Sequence, residues 1–230
     1  MSKTATKIKN WTVLLLRTSV LILTSVYYLV EVLIKGGEFT YSVGIAIALI
    51  LVWAEFVMQA LLKLLGVKIA PLGATKHLKR NYAPTGVDKP PKGDKKKTIA
   101  IALMWGVAVT FFALGKFIGF LDEGLLILAF LALLTLDGLS VHFFCPFRAF
   151  VMKNKCCNTC RIYNWDGLMI ASPLYFVHNV FSYILVGLVL ILFVWWEIAY
   201  RLHPERFFEE TNGKLRCSNC KNSTCPRKIK

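Results

Sequence analysis

Five long runs of apolar residues alternate with polar stretches along the chain. Each run has about the 20 residues that an α-helix needs to cross the hydrocarbon core of a bilayer. The alternating pattern of a membrane β-barrel is not seen, and helices satisfy their own backbone groups within lipid. The pattern predicts an all-α polytopic membrane protein with about five transmembrane helices, over residues 11–34, 43–65, 98–120, 124–144 and 173–200.

The polar stretches divide the chain further and include two cysteine-rich segments. Ser172 and Pro173 are typical of the N-cap and first turn of a helix, so we place the start of the fifth helix there. The connector is rich in proline and lysine, so we expect it to be extended or mobile rather than a folded domain. The predicted parts are a first transmembrane hairpin (1–66), a basic connector (67–97), a second transmembrane hairpin (98–144), a cysteine-rich loop (145–171), a fifth transmembrane helix (172–202) and a cysteine-rich basic tail (203–230).

Composition and charge agree with a membrane class. Of the 230 residues, 56% are hydrophobic, which is more apolar surface than a water-soluble domain can bury. The net charge of +15 lies mostly outside the apolar runs, where basic residues mark the cytoplasmic face and contact anionic lipid. No recognition fold for nucleic acid is visible, so we expect no nucleic-acid partner.

The distribution of lysine and arginine predicts the orientation. With five crossings, one face carries sixteen of these residues and the other carries ten. The N-terminus and the four-cysteine loop are therefore predicted to be cytoplasmic, in a protein of the cytoplasmic membrane. Five crossings place the basic tail on the opposite face, which is the arrangement we favour. The alternative is that one apolar run does not cross, and that all seven cysteines face the cytoplasm.

Seven cysteines lie in two groups outside the apolar runs. Clustered thiolates at short spacings are the ligands that a metal ion or an iron–sulfur cluster requires. The loop has the spacing C-x10-C-C-x2-C and the tail has the spacing C-x2-C-x4-C-P. Basic neighbours lower thiol pKa values and suit an anionic metal–thiolate centre. The predicted metal ligands are Cys145, Cys156, Cys157 and Cys160 in the loop, and Cys217, Cys220 and Cys225 in the tail.

The favoured cofactor is an iron–sulfur cluster, [4Fe-4S] in type, in one or two copies. Three thiolates in the tail leave a coordination position that Cys157 or His203 can fill if the two groups share a face. Structural zinc is the main alternative, because two C-x2-C pairs, one in each segment, make a tetrahedral four-thiolate site. That site also needs both segments on one face. A disulfide in the tail is a further alternative if the tail faces an oxidising compartment.

The stretch Cys145-Pro-Phe-Arg-Ala-Phe150 resembles membrane-bound ferredoxins of the quinol-dehydrogenase type. The resemblance covers a helix that runs into Cys-Pro-Phe, more cysteines and another helix. It implies a multi-helix protein that passes electrons between quinol and iron–sulfur clusters, with Cys145 ligating a cluster at a helix end. The family has a second cysteine four positions before Cys-Pro, where this chain has Val141.

Charged residues within the apolar runs are the remaining candidates for function, because a charge in lipid is costly without a partner or a pathway. Asp137 and Glu55 are predicted to exchange protons or to contact a quinone headgroup, with buried ion pairing as the structural alternative. Arg17 lies at a depth similar to Asp137 and is expected to pair with it or to bind the quinone. His142 and His178 are expected to flank a quinone pocket beside the cluster; the alternatives are that they ligate a haem together or are ordinary hydrogen-bonded histidines.

Together these features predict a membrane-bound iron–sulfur subunit of a quinone-linked oxidoreductase. It would link a soluble redox protein or enzyme subunit to the membrane quinone pool within a hetero-oligomeric complex. The alternative function is a non-redox membrane anchor that holds a structural zinc ion.

Overall fold

A computed structural model describes residues 3–67, 69–87, 89–91, 93, 95–143, 145–153 and 156–219 of the chain. Within these residues the structure is helical and contains no β-strand. Five helices are long and apolar enough to cross a membrane, which confirms the predicted all-α class. The helices are α1 (Lys3–Tyr28, continued by a π-helical turn, Leu29–Ile34), α2 (Val43–Leu65), α3 (Leu72–Thr75), α4 (Lys95–Ile118), α5 (Glu123–His142), α6 (Asp166–Ile170) and α7 (Val180–Leu202).

Side-chain caps define where the long helices begin. The Ser42 hydroxyl accepts a hydrogen bond from Ile45 N at the start of α2, at 3.4 Å. The Asp122 carboxylate accepts one from Leu125 N at the start of α5, at 2.7 Å. At the end of α2, Gly66 adopts the left-handed conformation (φ 62°), which lets the chain turn into the connector.

The sequence predicts that the fifth long helix starts at Ser172 and Pro173. This prediction is wrong, because α7 starts at Val180. These residues open a short 3-10 helix, Ser172–Phe176, which ends where Val177 becomes extended. Asn179 then caps α7 by accepting a hydrogen bond from Ser182 N, at 2.8 Å. The proline fits an N-terminal helical turn, but the helix that it opens is only five residues long.

Helix α7 runs in the same direction as α2. Near its start, the Phe181 carbonyl accepts a hydrogen bond from Trp53 Nε1 at 2.9 Å, about halfway along α2. Near its end, Trp195 lies with Leu64 and Leu65 around one surface recess at the end of α2. Trp53 is twelve residues before the end of α2, or about 18 Å along a helix axis. Helix α7 therefore starts deep within the bundle and leaves it where α2 ends.

The segment before α7 enters the bundle and then turns back. Trp165 lies beside the end of α7, where its Nε1 donates to Glu197 at 2.7 Å. Two residues later, Gly167 packs against Val189. Local bonds satisfy the backbone there, including Leu174 N to Ala171 O at 2.9 Å. Irregular backbone at membrane depth is tolerated when it is buried in protein. Residues 166–179 thus form a re-entrant segment that α7 follows back to the same end.

The core of the bundle holds this segment in place. Buried residues of α2, α5, α7 and the re-entrant segment form one apolar cluster, whereas many outward-facing residues of the long helices are exposed. Such an outer surface suits lipid contact. The core includes Phe56, Leu126, Leu131, Leu134, Leu174, Val177 and Leu185.

Candidate metal centre and intramembrane charge cluster

The cysteine-rich loop begins where α5 ends. Cys145 follows α5, and a π-helical turn, Phe147–Val151, comes next. Cys157 opens a 3-10 turn, Cys157–Thr159, in which Cys160 N donates to Cys157 O at 3.0 Å. Cys156 and Cys160 are buried, while Cys145 and Cys157 are partly exposed. A tight turn of this kind brings two cysteines of a C-x2-C pair close together, as a metal site needs.

Helix α3 of the connector lies against this loop. A Cβ atom on Gly73 would lie 2.9 Å from Asn158 Cα, so only glycine permits this approach. Asn164 Nδ2 also donates to Ala74 O, at 2.7 Å. The connector was predicted to be extended, and this prediction is wrong for residues 72–81, which form α3 and a 3-10 turn, Lys79–Asn81. Packing against the loop buries and stabilises these short helices, which the polar local sequence does not predict.

Lys76 lies at the end of α3 and is fully buried. Its ammonium donates to Asn158 O at 2.9 Å and to Cys160 O at 2.8 Å. It lies 5.2 Å from the ring centroid of Trp196 and 5.3 Å from that of Phe207. Burial lowers the pKa of Lys76 to about 7, opposed by the thiol of Cys160. A buried amino group that titrates near neutral pH is thus built into the turn that carries the cysteines.

Arg161 fixes the other side of the loop to α7. Its guanidinium forms a bidentate ion pair with Glu197, and one of the two contacts measures 2.8 Å. The guanidinium also stacks on the Tyr200 ring, 3.7 Å from its centroid. Trp196 Nε1 donates to Arg161 O at 2.9 Å. The backbone beside Cys160 is therefore held by α3 on one side and by α7 on the other.

The tail packs on the same connector. Arg206 donates to His77 O at 2.9 Å, and Lys214 donates to Arg80 O at 2.7 Å. Gly213 N donates to Ala83 O at 2.8 Å. A 3-10 turn, Cys217–Asn219, follows these contacts. Cys220 and Cys225 lie outside the described residues.

The loop and the start of the tail therefore lie at the same end of the bundle. This contradicts the favoured prediction that the tail lies on the opposite face. The physical reason is the re-entrant segment, which makes α7 run towards the connector instead of away from it. Among the described residues, no group of three or more Cys, His, Asp or Glu side chains is arranged to hold a metal ion. The described residues do not include the side chains of the three tail cysteines.

Arg17, Glu55 and Asp137 form a charge cluster between α1, α2 and α5. Arg17 is 3% exposed and donates to both carboxylate oxygens of Glu55, with Nε and Nη2 at 3.0 to 3.2 Å. Its Nη1 lies 3.8 Å from Asp137 and donates to Leu134 O at 3.2 Å. Gln59 also donates to Glu55. Glu55 is thus enclosed by donors, whereas the Asp137 side chain is 32% exposed.

The two predicted quinone histidines have different surroundings. His142 is at the end of α5 against Trp11, with ring centroids 4.8 Å apart, and its Nε2 is buried without a hydrogen-bond partner among the described residues. His178 precedes α7, is exposed and pairs with Tyr183 at 2.9 Å. That both histidines flank one quinone pocket stays a prediction.

Two residues of the site, Lys76 and His77, carry no recognisable motif. His77 is 1% exposed and lies between Trp195 and Trp196, with centroids 5.3 and 5.8 Å away. Burial lowers the pKa of His77 to about 4. Both residues stand in a polar connector, where sequence alone suggests solvated side chains.

The sequence matches no protein-family model, and comparisons with curated proteins and with solved structures gave no match either. The resemblance at Cys145 to membrane-bound ferredoxins therefore stays a prediction. The function has to be argued from the site.

Proposed function

We propose that this protein is a membrane-bound iron–sulfur electron-transfer subunit, which links a soluble redox partner to the membrane quinone pool. The observation that carries the proposal is the meeting of the two cysteine-rich segments on one connector. Cys160 lies beside Lys76, and the residues before Cys217 contact Arg80 and Ala83. The four loop cysteines and Cys217 thereby belong to segments at one end of the bundle, and these already exceed the four thiolates that one cluster needs.

The chemistry of the donor set fits an iron–sulfur cluster. Thiolates are its usual ligands, and a bound cluster would supply one-electron transfer at this end of the bundle. Lys76 and Arg161 add positive charge around Cys156 and Cys160, which stabilises thiolates. Cys145 belongs to this ligand set in the proposal, at the position where the ferredoxin resemblance also puts a ligand.

Aromatic side chains connect the loop to the bundle interior. The ring of Trp165 lies 5.4 Å from that of Phe193, and Phe193 lies 6.3 Å from Trp105. In the proposal, quinone binds near the exposed edge of the charge cluster. Asp137 is the proton contact, since its carboxylate is the more exposed one, and Glu55 holds Arg17 in place.

His142 is the proposed headgroup contact of the quinone. Its buried Nε2 has no partner among the described residues, and it stands three positions before Cys145. A buried ring nitrogen without a hydrogen bond is costly, so a ligand that supplies one is favoured.

Absorption spectroscopy on protein purified without oxygen tests the proposal. We expect a broad visible band that dithionite bleaches and that added quinone restores. Asp137→Asn is expected to slow the restoration by quinone while the band remains. Glu31→Gln, at the end of α1, is the control acid and is expected to leave the rate unchanged. Colourless protein without iron would contradict the proposal.

A non-redox membrane anchor with structural zinc is the second candidate. The observation that favours it is that Cys157 and Cys217 each open a 3-10 turn in a C-x2-C pair, at the same end of the bundle. Two such pairs make a tetrahedral zinc site. Colourless protein with one zinc ion per chain would support this function in place of electron transfer.

In either case we propose that the connector, the loop and the tail face the cytoplasm in the cytoplasmic membrane. The basic residues of these segments then contact anionic lipid. We further propose that the protein works within a hetero-oligomeric complex, whose soluble member docks at this end.

A further inference from the structure

Lys76 is a buried cation that lacks a carboxylate partner among the described residues. Two partly buried cations near the loop each have one, since Lys63 pairs with Asp166 at 2.8 Å and Arg161 pairs with Glu197. The ammonium of Lys76 instead meets two carbonyl oxygens and two aromatic faces. This difference calls for a physical explanation.

A fully buried ammonium costs several kcal/mol unless opposite charge offsets its lost hydration. Carbonyl dipoles and aromatic faces offset part of that cost. Among ionisable neighbours, Cys160 and Cys156 would attract the charge of Lys76 as thiolates, and Arg161 repels it. Neutral thiols provide no such attraction, whereas thiolates bound to a metal do. A metal–thiolate centre in this turn would supply the negative charge that the surroundings of Lys76 lack.

We propose that Lys76 is the counter-cation of the metal–thiolate centre, and that it favours an all-cysteine ligand set over a mixed cysteine–histidine set. This inference rests on the proposed metal centre, whether the metal is iron or zinc. Four thiolates around Zn²⁺ or around a cubane cluster leave a net negative charge, whereas two thiolates and two neutral imidazoles around Zn²⁺ leave none.

The position of Lys76 supports a centre that loop and tail share. Its ammonium contacts the loop through Asn158 and Cys160 and contacts the tail through the ring of Phe207. Phe207 is 1% exposed and packs on Trp196 with centroids 4.9 Å apart. A negatively charged centre between the loop and the tail would attract Lys76. Metal binding there would hold the two segments together.

Lys76→Met tests the proposal, because methionine keeps much of the chain length and removes the charge. Lys79→Met is the matched control, since Lys79 is an exposed lysine of the same connector. The full-length protein, loaded with metal and purified in detergent without oxygen, is titrated with a chelator. We expect Lys76→Met to lose metal at about 10–100-fold lower chelator concentration, as is usual when a neighbour of metal ligands is removed. The control is expected to match the wild type.

The stability of the metal-free protein gives the second measurement. Metal-free Lys76→Met is expected to be at least as stable as the metal-free wild type, since a buried charge without a partner has been removed. If the metal is iron, the midpoint potential of the variant is also expected to fall, because a positive charge near the cluster favours its reduced form.

Each outcome separates the two proposals. Metal retention equal to that of the wild type would overturn the role of Lys76 and leave the metal centre intact. A metal-free variant that is less stable than the metal-free wild type would also overturn it, since Lys76 would then act through its hydrogen bonds alone. Wild-type protein that binds neither iron nor zinc would overturn the metal centre itself.

Discussion

Replacing Glu55 with glutamine separates a structural role from a catalytic one in the charge cluster. The change keeps the shape of the side chain and removes the charge that Arg17 meets. Arg17 is 3% exposed, so it cannot regain its hydration by a small movement. Breaking a buried ion pair by removing one partner costs about 3–5 kcal/mol. Asp137 remains 3.8 Å away and compensates part of the charge, so we expect the lower end, about 3 kcal/mol.

The assay is reversible unfolding in mixed detergent micelles, followed by circular dichroism. Arg17→Met and the double variant with Glu55→Gln complete a double-mutant cycle, which isolates the pair. We expect the double variant to be more stable than Glu55→Gln alone, because no buried charge is left without its main partner. Additive losses, or a loss below about 0.5 kcal/mol for Glu55→Gln, would refute the structural role of the pair. Normal stability with lost electron transfer would instead assign Glu55 to catalysis.

Three further predictions concern the loop and the tail. Gly73→Ala is expected to lower the free energy of unfolding by about 1–3 kcal/mol and to weaken metal binding, since its Cβ would lie 2.9 Å from the Asn158 backbone. Thermal unfolding and metal analysis measure the two effects, and wild-type values would contradict the packing. Arg161→Lys is expected to weaken metal retention in a chelator titration, because lysine cannot form the bidentate pair with Glu197. Arg201→Lys, near the end of α7, is the control, and equal retention in both variants would contradict the role of the Arg161–Glu197 pair. Reporter fusions after the last residue and in the connector are expected to report the same side of the membrane, and opposite sides would contradict the direction of α7.

The helical class could be predicted because it depends on local composition. Runs of about 20 apolar residues require helices in lipid, and the five long helices agree with the five runs. The residues at which the helices start were harder to predict. Ser172 and Pro173 have the chemistry of a helix start, yet they open a 3-10 helix and Asn179 caps α7. The choice between these sites depends on packing inside the bundle, which the local sequence does not encode.

The direction of α7 could not be predicted from counts of lysine and arginine. Those counts assume that every apolar run crosses the membrane once. The re-entrant segment breaks this assumption, because residues 166–179 satisfy their backbone within protein. The basic tail was the signal against five simple crossings, since it carries seven basic residues on the face predicted to carry few.

The candidate site was predicted in part. The pairing of Arg17 with Asp137 follows from their similar depths, although Glu55 proves to be the main partner. The roles of Lys76 and Gly73 depend on contacts with the loop more than 80 positions away in the chain. Contacts of that sequence separation leave no pattern in a single sequence.

Metal and acid-labile sulfide analysis of protein purified without oxygen tests the central claim most directly. The measurement compares the wild type with Cys160→Ser in the loop and Cys220→Ser in the tail. We predict that the wild type contains iron and sulfide and that either substitution alone lowers both, as expected if loop and tail share the proposed centre. Wild-type protein that contains no iron or sulfide, or tail and loop variants that both keep the full metal content, would contradict the account.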